Sequence, residues 1–322
     1  GQVPISFSLA ADEIATASSP TSGPPEVYIL APRCSYLPLV ARTSGALSRL
    51  SSFTTQLPGG LSFSAAPFLS TASTASLPSH SSSAGPISAS SSPFVGLWFE
   101  SIDAGGVPIK WQCPIGVLYD QIFPPPASGV LKITVHFQGF PSSLLGLLRL
   151  DDEDSVKRQF MNSLKEATWL LNGDLSSIND LSQRDVSELW SGVSTSDWSR
   201  YSPIAAKIRN AKLSSSSSLT SSSSAVTTTI TSPSPGVPLV NRHVPVRVYL
   251  LDRGLGAPPV IDLVEMGKAV TMKEAVKSVA GEAVALQKRF IVHGVEVSPD
   301  TPVDWLSSIM NHPDNWLYIV AV

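Results

Sequence analysis

Two long stretches rich in serine and threonine limit what this chain can fold into. The first lies within about residues 43–93 and includes STASTASLPSHSSSAGPISASSSP, and the second, 213–236, is LSSSSSLTSSSSAVTTTITSPSPG. Neither contains enough apolar surface to offset the conformational entropy lost on folding, so we expect both to be disordered. The 322 residues then divide into segments 1–141 (with the first stretch as an insertion), 142–212 and 241–322, with 213–240 as a linker.

Charge and cysteine content exclude several classes of protein. A net charge of -3 provides no basic surface for nucleic acid, so we expect no nucleic-acid partner. Cys34 and Cys113 are the only cysteines, which argues against a disulfide framework and predicts reduced thiols in a cytoplasmic protein. The opening GQVPISFSLAADEI lacks the pattern of a signal peptide, and no run of about 18 apolar residues suggests a membrane span.

The last segment, 241–322, begins with the pattern of a β-hairpin. In HVPVRVYL (243–250) valines alternate with residues of the opposite face, which includes Arg247. VIDLV (260–264) follows a loop rich in glycine and proline and predicts the second strand. Thr271 then offers a hydroxyl N-cap for a helix. The apolar stripe of that helix consists of Met272, Ala275, Val276 and Val279.

The rest of this segment completes a familiar order of elements. RFIVH and VEV predict two short strands, DTPVDWLSSI a short helix, and WLYIVAV a strand apolar enough to be central. We expect Asp300 or Thr301 to cap the short helix, with Pro302 in its first turn. Strand, strand, helix, strand, short strand, short helix, strand is the order of a ubiquitin-like β-grasp domain.

The first segment, 1–141, has related patterns around its serine-rich insertion. PISFSL, VYILAPR, LWFE and LKITVHF predict strands, while SYLPLV and PIGVLYDQI predict helices. Its end resembles the end of the last segment, because in both a strand leads through proline to a short apolar helix and an alternating strand. We interpret this as an internal duplication. It predicts an α+β chain with two ubiquitin-like β-grasp domains flanking a helix-rich domain.

The middle segment, 142–212, has the periodicity of helices. Its first helix follows Asp151–Asp154, whose acidic residues suit the positive end of a helix dipole. A second helix is expected after Ser182 as N-cap, and a third over about 197–212, with Pro203 as a potential break. The apolar face of the first helix consists of Val156, Phe160, Leu164, Ala167 and Leu171.

The sequence contains no recognisable catalytic or metal-binding constellation. Gly-x-Ser-x-Gly and the P-loop are absent, and GLGAPP lacks the third glycine of a dinucleotide fingerprint. His136 lies opposite the apolar face of an alternating strand, so we interpret it as a surface or satisfied histidine. His293 and His312 have no partner at metal-ligand spacing, and Asp151–Asp154 lacks the glycine and glutamate of a calcium loop. We therefore predict no enzyme, no cofactor and no metal.

Lys165 occupies the middle of FMNSLKEATWL, an otherwise nearly neutral helical stretch. On a helical wheel it lies about 100° from Leu164, off the buried stripe. Met161 and Trp169 lie one turn before and after it. The pattern is typical of a solvated charge at the edge of an apolar strip. A lysine framed by large apolar side chains is also typical of a docking surface, so both interpretations stay open.

Several motifs together resemble the autophagy protein 5 family over nearly the whole chain, apart from the two insertions. The motifs are YILAPRCSYLPLV, LWFE, PIKWQCPIGVLYD, ITVHFQGFP, FMNSLKEA, VPVRVY, IVHGVEV, TPVDWL and HPDNWL. They are specific because they occur in order and span all three segments. The resemblance implies two ubiquitin-like domains flanking a helix-rich domain.

The resemblance also implies a role in autophagosome formation. In the family, the ubiquitin-like autophagy protein 12 is joined through its C-terminal glycine to one lysine, and the matching lysine here is Lys165. An activating enzyme and an E2-like conjugating enzyme carry this modifier as a thioester. The conjugate binds the coiled-coil autophagy protein 16 and promotes attachment of autophagy protein 8 to phosphatidylethanolamine, as an E3-like factor. The implied location is the cytoplasm, with peripheral recruitment to the preautophagosomal (phagophore) membrane.

The residue type fits this implied role. Aminolysis of a thioester needs an accessible primary amine, which lysine supplies and arginine does not. The chain ends in Ala321 and Val322 without the two glycines of a transferable modifier, so we expect an acceptor and not a donor. The alternative is a noncovalent ubiquitin-like adaptor in the same complex. In that case Lys165 only borders a docking surface and no isopeptide bond forms.

Overall fold

Two compact units, each with a five-stranded sheet, make up the part of the chain that the structure describes. The first unit contains Gly1–Ile122 and Gly129–Gln159, and the second contains Phe123–Ser128 and Phe160–Val322. The computed structural model describes residues 1–14, 24–54, 96–144, 146–152, 154–216, 243–255, 257–265 and 270–322.

The first sheet is mixed, with strand order β2-β1-β5-β3-β4. Its first strand pairs antiparallel with β2 and parallel with β5, so the first and last strands of this sheet lie side by side. Alternate residues of the central strands are buried, as the alternating sequence patterns predict. The strands are β1 (Gln2–Leu9), β2 (Val27–Pro32), β3 (Trp98–Ser101), β4 (Val107–Pro108) and β5 (Leu131–His136).

Three helices accompany this sheet, and one of them corrects the sequence analysis. They are α1 (Leu37–Thr43), α2 (Ala46–Ser51) and α3 (Ile115–Ile122). The second of these lies within the range 43–93, which we expected to be disordered. It folds because Leu47 and Leu50 are fully buried. The rest of the insertion, from residue 55 to 95, and the linker residues 217–242 lie outside the described residues.

The second sheet repeats the first, with strand order β7-β6-β10-β8-β9. As predicted, β6 and β7 form an antiparallel hairpin and β10 is the central strand. This repeated order confirms the predicted duplication and the α+β class. The elements are β6 (His243–Leu250), β7 (Val260–Glu265), α8 (Met272–Ala280), α9 (Glu282–Gln287), β8 (Phe290–Val292), β9 (Val295–Val297), α10 (Val303–Met310) and β10 (Leu317–Ala321).

The two predicted helix caps of this domain have different outcomes. Thr271 caps α8 in a capping box with Glu274, as expected. The prediction of Asp300 or Thr301 as the cap of α10 is wrong, because its N-cap is Pro302 and no side chain caps the helix. The preceding backbone is occupied elsewhere, since the carbonyl of Thr301 accepts a hydrogen bond from the N–H of Met272 at 2.8 Å.

The middle segment is helical, with one element more than the sequence predicted. Ser182 is an N-cap as expected, and its hydroxyl accepts from the N–H of Asp185 at 3.1 Å. The third predicted helix is present, and Pro203, the potential break, lies inside it without interrupting it. Burial of Tyr201, Ile204 and Ile208 on that helix offsets the lost hydrogen bond, which costs about 3 kcal/mol. The helices are α4 (Ser155–Asn172), the unpredicted single turn α5 (Ser176–Asn179), α6 (Gln183–Thr195) and α7 (Trp198–Ser216).

Candidate functional site

Lys165 lies on the part of α4 that belongs to the second unit. That part buries Phe160, Leu164 and Ala167 on one side, which is the apolar face expected from the sequence. The side chain of Lys165 is half-buried at the edge of this face. Among the described residues, its amine forms no hydrogen bond or ion pair with a carboxylate.

Two apolar side chains lie along the same side of the helix as this amine. Met161 is half-buried one turn before Lys165, and Trp169 is 56% exposed one turn after it. We call Met161, Lys165 and Trp169 the lysine face. The helix ends shortly afterwards at Asn172, and Gly173, which follows it with a positive φ of 76°, donates its N–H to the carbonyl of Trp169 at 2.7 Å.

The residue two positions before the lysine attaches α4 to the second sheet. Ser163 is buried, and its hydroxyl donates to Oδ2 of Asp314 at 2.7 Å. The indole Nε1 of the buried Trp316 donates to the backbone carbonyl of Ser163 at 3.0 Å. Tyr318, on β10, donates to the same carboxylate oxygen of Asp314 at 2.7 Å. Both the side chain and the backbone of Ser163 are thus held by residues at or just before β10.

Arg247 of β6 completes this attachment. Its Nη1 donates to the hydroxyls of Ser163 and Tyr318, both at 3.0 Å, and its guanidinium lies 4.0 Å above the ring of Trp316. Its Nη2 donates to Oε2 of Glu166, the residue after the lysine, at 2.7 Å. We call Ser163, Arg247, Asp314, Trp316 and Tyr318 the Arg247 network.

The Arg247 network brings an acid and a base together inside the second unit. Asp314 is fully buried, and desolvation raises the pKa of its carboxyl, while the nearby Arg247 opposes that rise. Burial alone would lower the pKa of Arg247. Its electrostatic interactions, with Tyr318 and Asp314 foremost, outweigh burial and raise that pKa. The buried acid and the buried base therefore stabilise each other's charged forms.

The residues that attach α4 to the second sheet are different from the lysine itself. Ser163 and Glu166 both accept hydrogen bonds from Arg247 of the second sheet, whereas Lys165 takes no part in these bonds. A functional group on a regular helix that packs against a sheet is held more precisely than one on a loop. The arrangement is suited to presenting a primary amine, and a primary amine can accept an acyl group.

The histidines singled out in the sequence have structural contacts. The ring of His136 stacks on Trp98 with 3.7 Å between centroids, and its Nε2 lies 3.2 Å from Oε2 of Glu100. Burial lowers the pKa of His136, and Glu100 opposes this shift. This fits the interpretation of a satisfied histidine. His293 and His312 stack on each other with 4.2 Å between centroids.

The Arg247 network is the part of the site that the sequence analysis missed. The alternating pattern predicts that Arg247 lies on the face of its strand opposite the valines, but it identifies no partner for it. A charged residue at the middle of an alternating strand, together with the polar residues of HPDNW just before the last strand, is the signal that was available. Nothing in the sequence indicates that these residues meet Ser163.

None of the helices in the described ranges combines the length and the hydrophobicity that a membrane crossing requires. Comparison with known protein families adds the identity of the domains. Residues 1–58 and 70–137 match the Autophagy protein ATG5 UblA domain, residues 153–211 its alpha-helical bundle region, and residues 243–321 its UblB domain. The chain belongs to the autophagy protein 5 family. Its two sheets are therefore the two ubiquitin-like domains, as predicted.

Individual members of the autophagy protein 5 family match to different extents. Autophagy protein 5 of Arabidopsis thaliana is 25% identical over 365 aligned positions, covering 99% of this chain and 94% of that protein. Autophagy protein 5 of Oryza sativa subsp. japonica is 41% identical over 113 positions, or 35% of this chain and 28% of the rice protein. The crystal structure of Kluyveromyces marxianus Atg5 has a TM-score of 0.65 at 17% identity, covering 100% and 96% of the two chains, and so shares the fold.

Membership of the autophagy protein 5 family implies a role in autophagy. It does not by itself assign a function to any residue. The lysine face and the Arg247 network lie across the helical region and the UblB domain, within the second unit.

Proposed function

We propose that this chain is the covalent acceptor of the ubiquitin-like modifier autophagy protein 12, and that Lys165 is the acceptor residue. The observation that carries this proposal is a half-buried lysine without an ionic partner among the described residues, on a helix fixed by its neighbours. Ser163, two positions before the lysine, and Glu166, directly after it, both bond to Arg247, and a helix held in this way presents the amine in a defined direction. The same chain acts as a substrate and scaffold, not as a turnover enzyme.

The proposed reaction is one aminolysis. The unprotonated amine of Lys165 attacks the carbonyl carbon of the thioester between the C-terminal glycine of the modifier and a cysteine of the E2-like conjugating enzyme. The carbon–sulfur bond breaks, the electron pair leaves with the thiolate, and the amine nitrogen gives up its proton to solvent. The product is an isopeptide bond. The protein contributes a positioned nucleophile, and proximity accounts for much of the acceleration of such steps.

The wider function follows from the family membership and from this bond. In the proposed scheme the conjugate binds the coiled-coil autophagy protein 16. The assembly then promotes, as an E3-like factor, the transfer of autophagy protein 8 to phosphatidylethanolamine. This scheme places the protein in the cytoplasm, with peripheral recruitment to the phagophore membrane. Support for it comes from the match of both ubiquitin-like domains and the helical region to one family.

A reconstituted conjugation assay tests the proposal. The chain is mixed with the modifier, its activating enzyme, its conjugating enzyme and ATP, and the conjugate is detected as a band of higher mass. We expect Lys165→Arg to abolish the band, because arginine keeps the positive charge but is not a nucleophile at neutral pH. Digestion and mass spectrometry of the wild-type product should locate the branched peptide at Lys165.

The matched control is Lys157→Arg on the same helix. Lys157 is half-buried like Lys165 and lies two turns earlier, so this variant should conjugate like wild type. A conjugate that persists in Lys165→Arg, or a branch at another lysine, contradicts the assignment. A complex with the modifier that forms without any covalent product in wild type would instead support a noncovalent adaptor.

A further inference from the structure

Trp169 is an exposed aromatic residue with an unused hydrogen-bond donor beside the proposed acceptor. Its side chain is 56% exposed, although tryptophan is among the largest apolar side chains. In the part of the chain that the structure describes, its indole N–H donates to no acceptor and its ring contacts no other ring. Three other tryptophans use this donor internally. Trp98, Trp111 and Trp316 each donate Nε1–H to a backbone carbonyl, at 2.7, 2.6 and 3.0 Å.

We propose that Trp169 binds the C-terminal tail of the modifier while its thioester is held at Lys165. The indole ring would cover one side of the extended tail, and its N–H would donate to a tail carbonyl. This inference rests on the proposed function, because it needs an acyl group to be delivered to that lysine. It adds a binding residue for the reaction, and it assigns the exposed ring a specific occupant.

The spacing of the two side chains supports this occupant. Four residues along a helix correspond to a rise of about 6 Å, and side chains four positions apart lie on one face. Two residues of an extended chain span about 7 Å. If the terminal glycine lies at the amine of Lys165, the residue two positions earlier in the tail therefore reaches Trp169. The residue two positions before the terminal glycine must lie within about 7 Å of the amine of Lys165 during the reaction, whichever enzyme delivers the tail.

The chemistry of Trp169 suits an extended peptide better than a folded surface. An extended tail leaves alternate carbonyl groups unpaired, and these need donors when a partner covers them. Tryptophan combines a large apolar face with one donor, and it is enriched among residues that dominate binding energy. The other neighbour on the lysine face, Met161, has no donor and lies on the opposite side of the amine.

A binding contact that forms before the reaction, and persists through it, changes affinity and not the maximal rate. The assay follows a single turnover in which the conjugating enzyme, charged with the modifier, discharges it onto this chain. For Trp169→Ala we expect the concentration of this chain that gives half the maximal rate to rise about tenfold, as is typical for loss of an aromatic anchor. The maximal rate should stay within about twofold. Trp169→Phe keeps an aromatic ring but lacks the N–H donor, so its half-saturating concentration should lie between those of wild type and Trp169→Ala.

Trp305→Ala is the matched control, because Trp305 is 55% exposed and also lies on a helix of the second unit. It should leave both kinetic parameters unchanged. An equal shift in Trp305→Ala, or wild-type parameters for Trp169→Ala, overturns the inference. Lys165→Arg separates this failure from failure of the proposed function: if Lys165→Arg abolishes the conjugate while Trp169→Ala behaves like wild type, only the role of Trp169 is wrong.

A second probe distinguishes the modifier's tail from the conjugating enzyme. The modifier is supplied as a thioester of a small thiol, without the enzyme, and its transfer to the full chain is followed. We expect Trp169→Ala to weaken this transfer by a similar factor, since the tail is still present. A defect that disappears with the small-thiol thioester would mean that the ring contacts the enzyme, which contradicts the proposal.

Discussion

Replacing Arg247 by methionine removes a charge from the interior of the second unit while keeping a side chain of similar length. Arg247 and Asp314 are bridged by the hydroxyls of Ser163 and Tyr318, each of which lies 3.0 Å from the guanidinium and 2.7 Å from the carboxylate. The two charges are thus on the order of 5 Å apart, and Coulomb's law with an effective dielectric constant of about 20 gives about 3 kcal/mol. Breaking a buried pair from one side costs about 3–5 kcal/mol.

We therefore expect Arg247→Met to lower the free energy of unfolding of the second unit by about 3–5 kcal/mol. The same change in an Asp314→Asn background should cost about 3 kcal/mol less, because the Coulomb attraction to Asp314 is absent there and only the other contacts of Arg247 are lost. The coupling between the two substitutions is the quantity of interest. Hydrogen exchange of peptides from α4 and β6 measures it locally, without requiring the whole chain to unfold in one step.

The pH dependence of Arg247→Met provides an independent check. Burial raises the folded-state pKa of Asp314 above its unfolded value, so stability is greatest when the carboxyl is protonated and is lost as pH rises through the folded pKa. Without Arg247 this pKa rises further. Mild acidification should then restore part of the stability of Arg247→Met but not of the double variant. Equal costs of Arg247→Met in both backgrounds would refute the reasoning, because Asp314 would then be uncharged in the native protein.

Two further predictions concern packing and protonation. At Gly192 on α6 a Cβ atom would lie 2.7 Å from the backbone nitrogen of Tyr201. Gly192→Ala should therefore lower the free energy of unfolding, measured by chemical denaturation, by about 1–3 kcal/mol. The control Ser187→Ala, on the exposed side of α6, should change it by less than about 0.5 kcal/mol. Because burial lowers the pKa of His136, its contribution to stability is present above its unfolded pKa and is lost as pH falls through the folded pKa. In calorimetry, the melting temperature of wild type should therefore fall more steeply than that of His136→Gln as the pH is lowered below about 6.5. Melting temperatures that change in parallel would contradict this.

The alternation of residues in the strands made much of the fold predictable. The valines of HVPVRVYL are buried on one side of β6, because a strand exposes successive side chains to opposite faces. The hydroxyl of Thr271 capped α8 for a reason that is local in sequence. Such local rules also explain the errors. The N-cap of α10 is Pro302 and not a predicted residue, because the backbone before the helix pairs with residues that are distant in the sequence.

Of the candidate site, only Lys165 and its apolar neighbours were predictable from the sequence. The motif around Lys165 and the apolar residues beside it are continuous in sequence, so a helical wheel places them correctly. The Arg247 network is not continuous. Arg247 and Asp314 bond to Ser163 across 84 and 151 residues of sequence, and no local pattern encodes which distant partners meet. The same holds for Pro203, since the packing that keeps α7 intact comes from other helices.

A buried polar network is a costly way to attach a helix, because apolar residues of equal volume often stabilise as well or better. What the Arg247 network adds is a definite rotation of α4. Each residue of a helix turns it by about 100°, so a slip of one position that brought Glu166 to the lysine face would bring the amine of Lys165 to the buried place of Leu164. Hydrophobic contacts tolerate such slips, whereas the bonds to Ser163 and Glu166 do not. On this view the double variant Arg247→Met/Asp314→Asn should accept the modifier more slowly than its stability alone would explain, and conjugation at the wild-type rate would show that apolar packing suffices to orient the lysine.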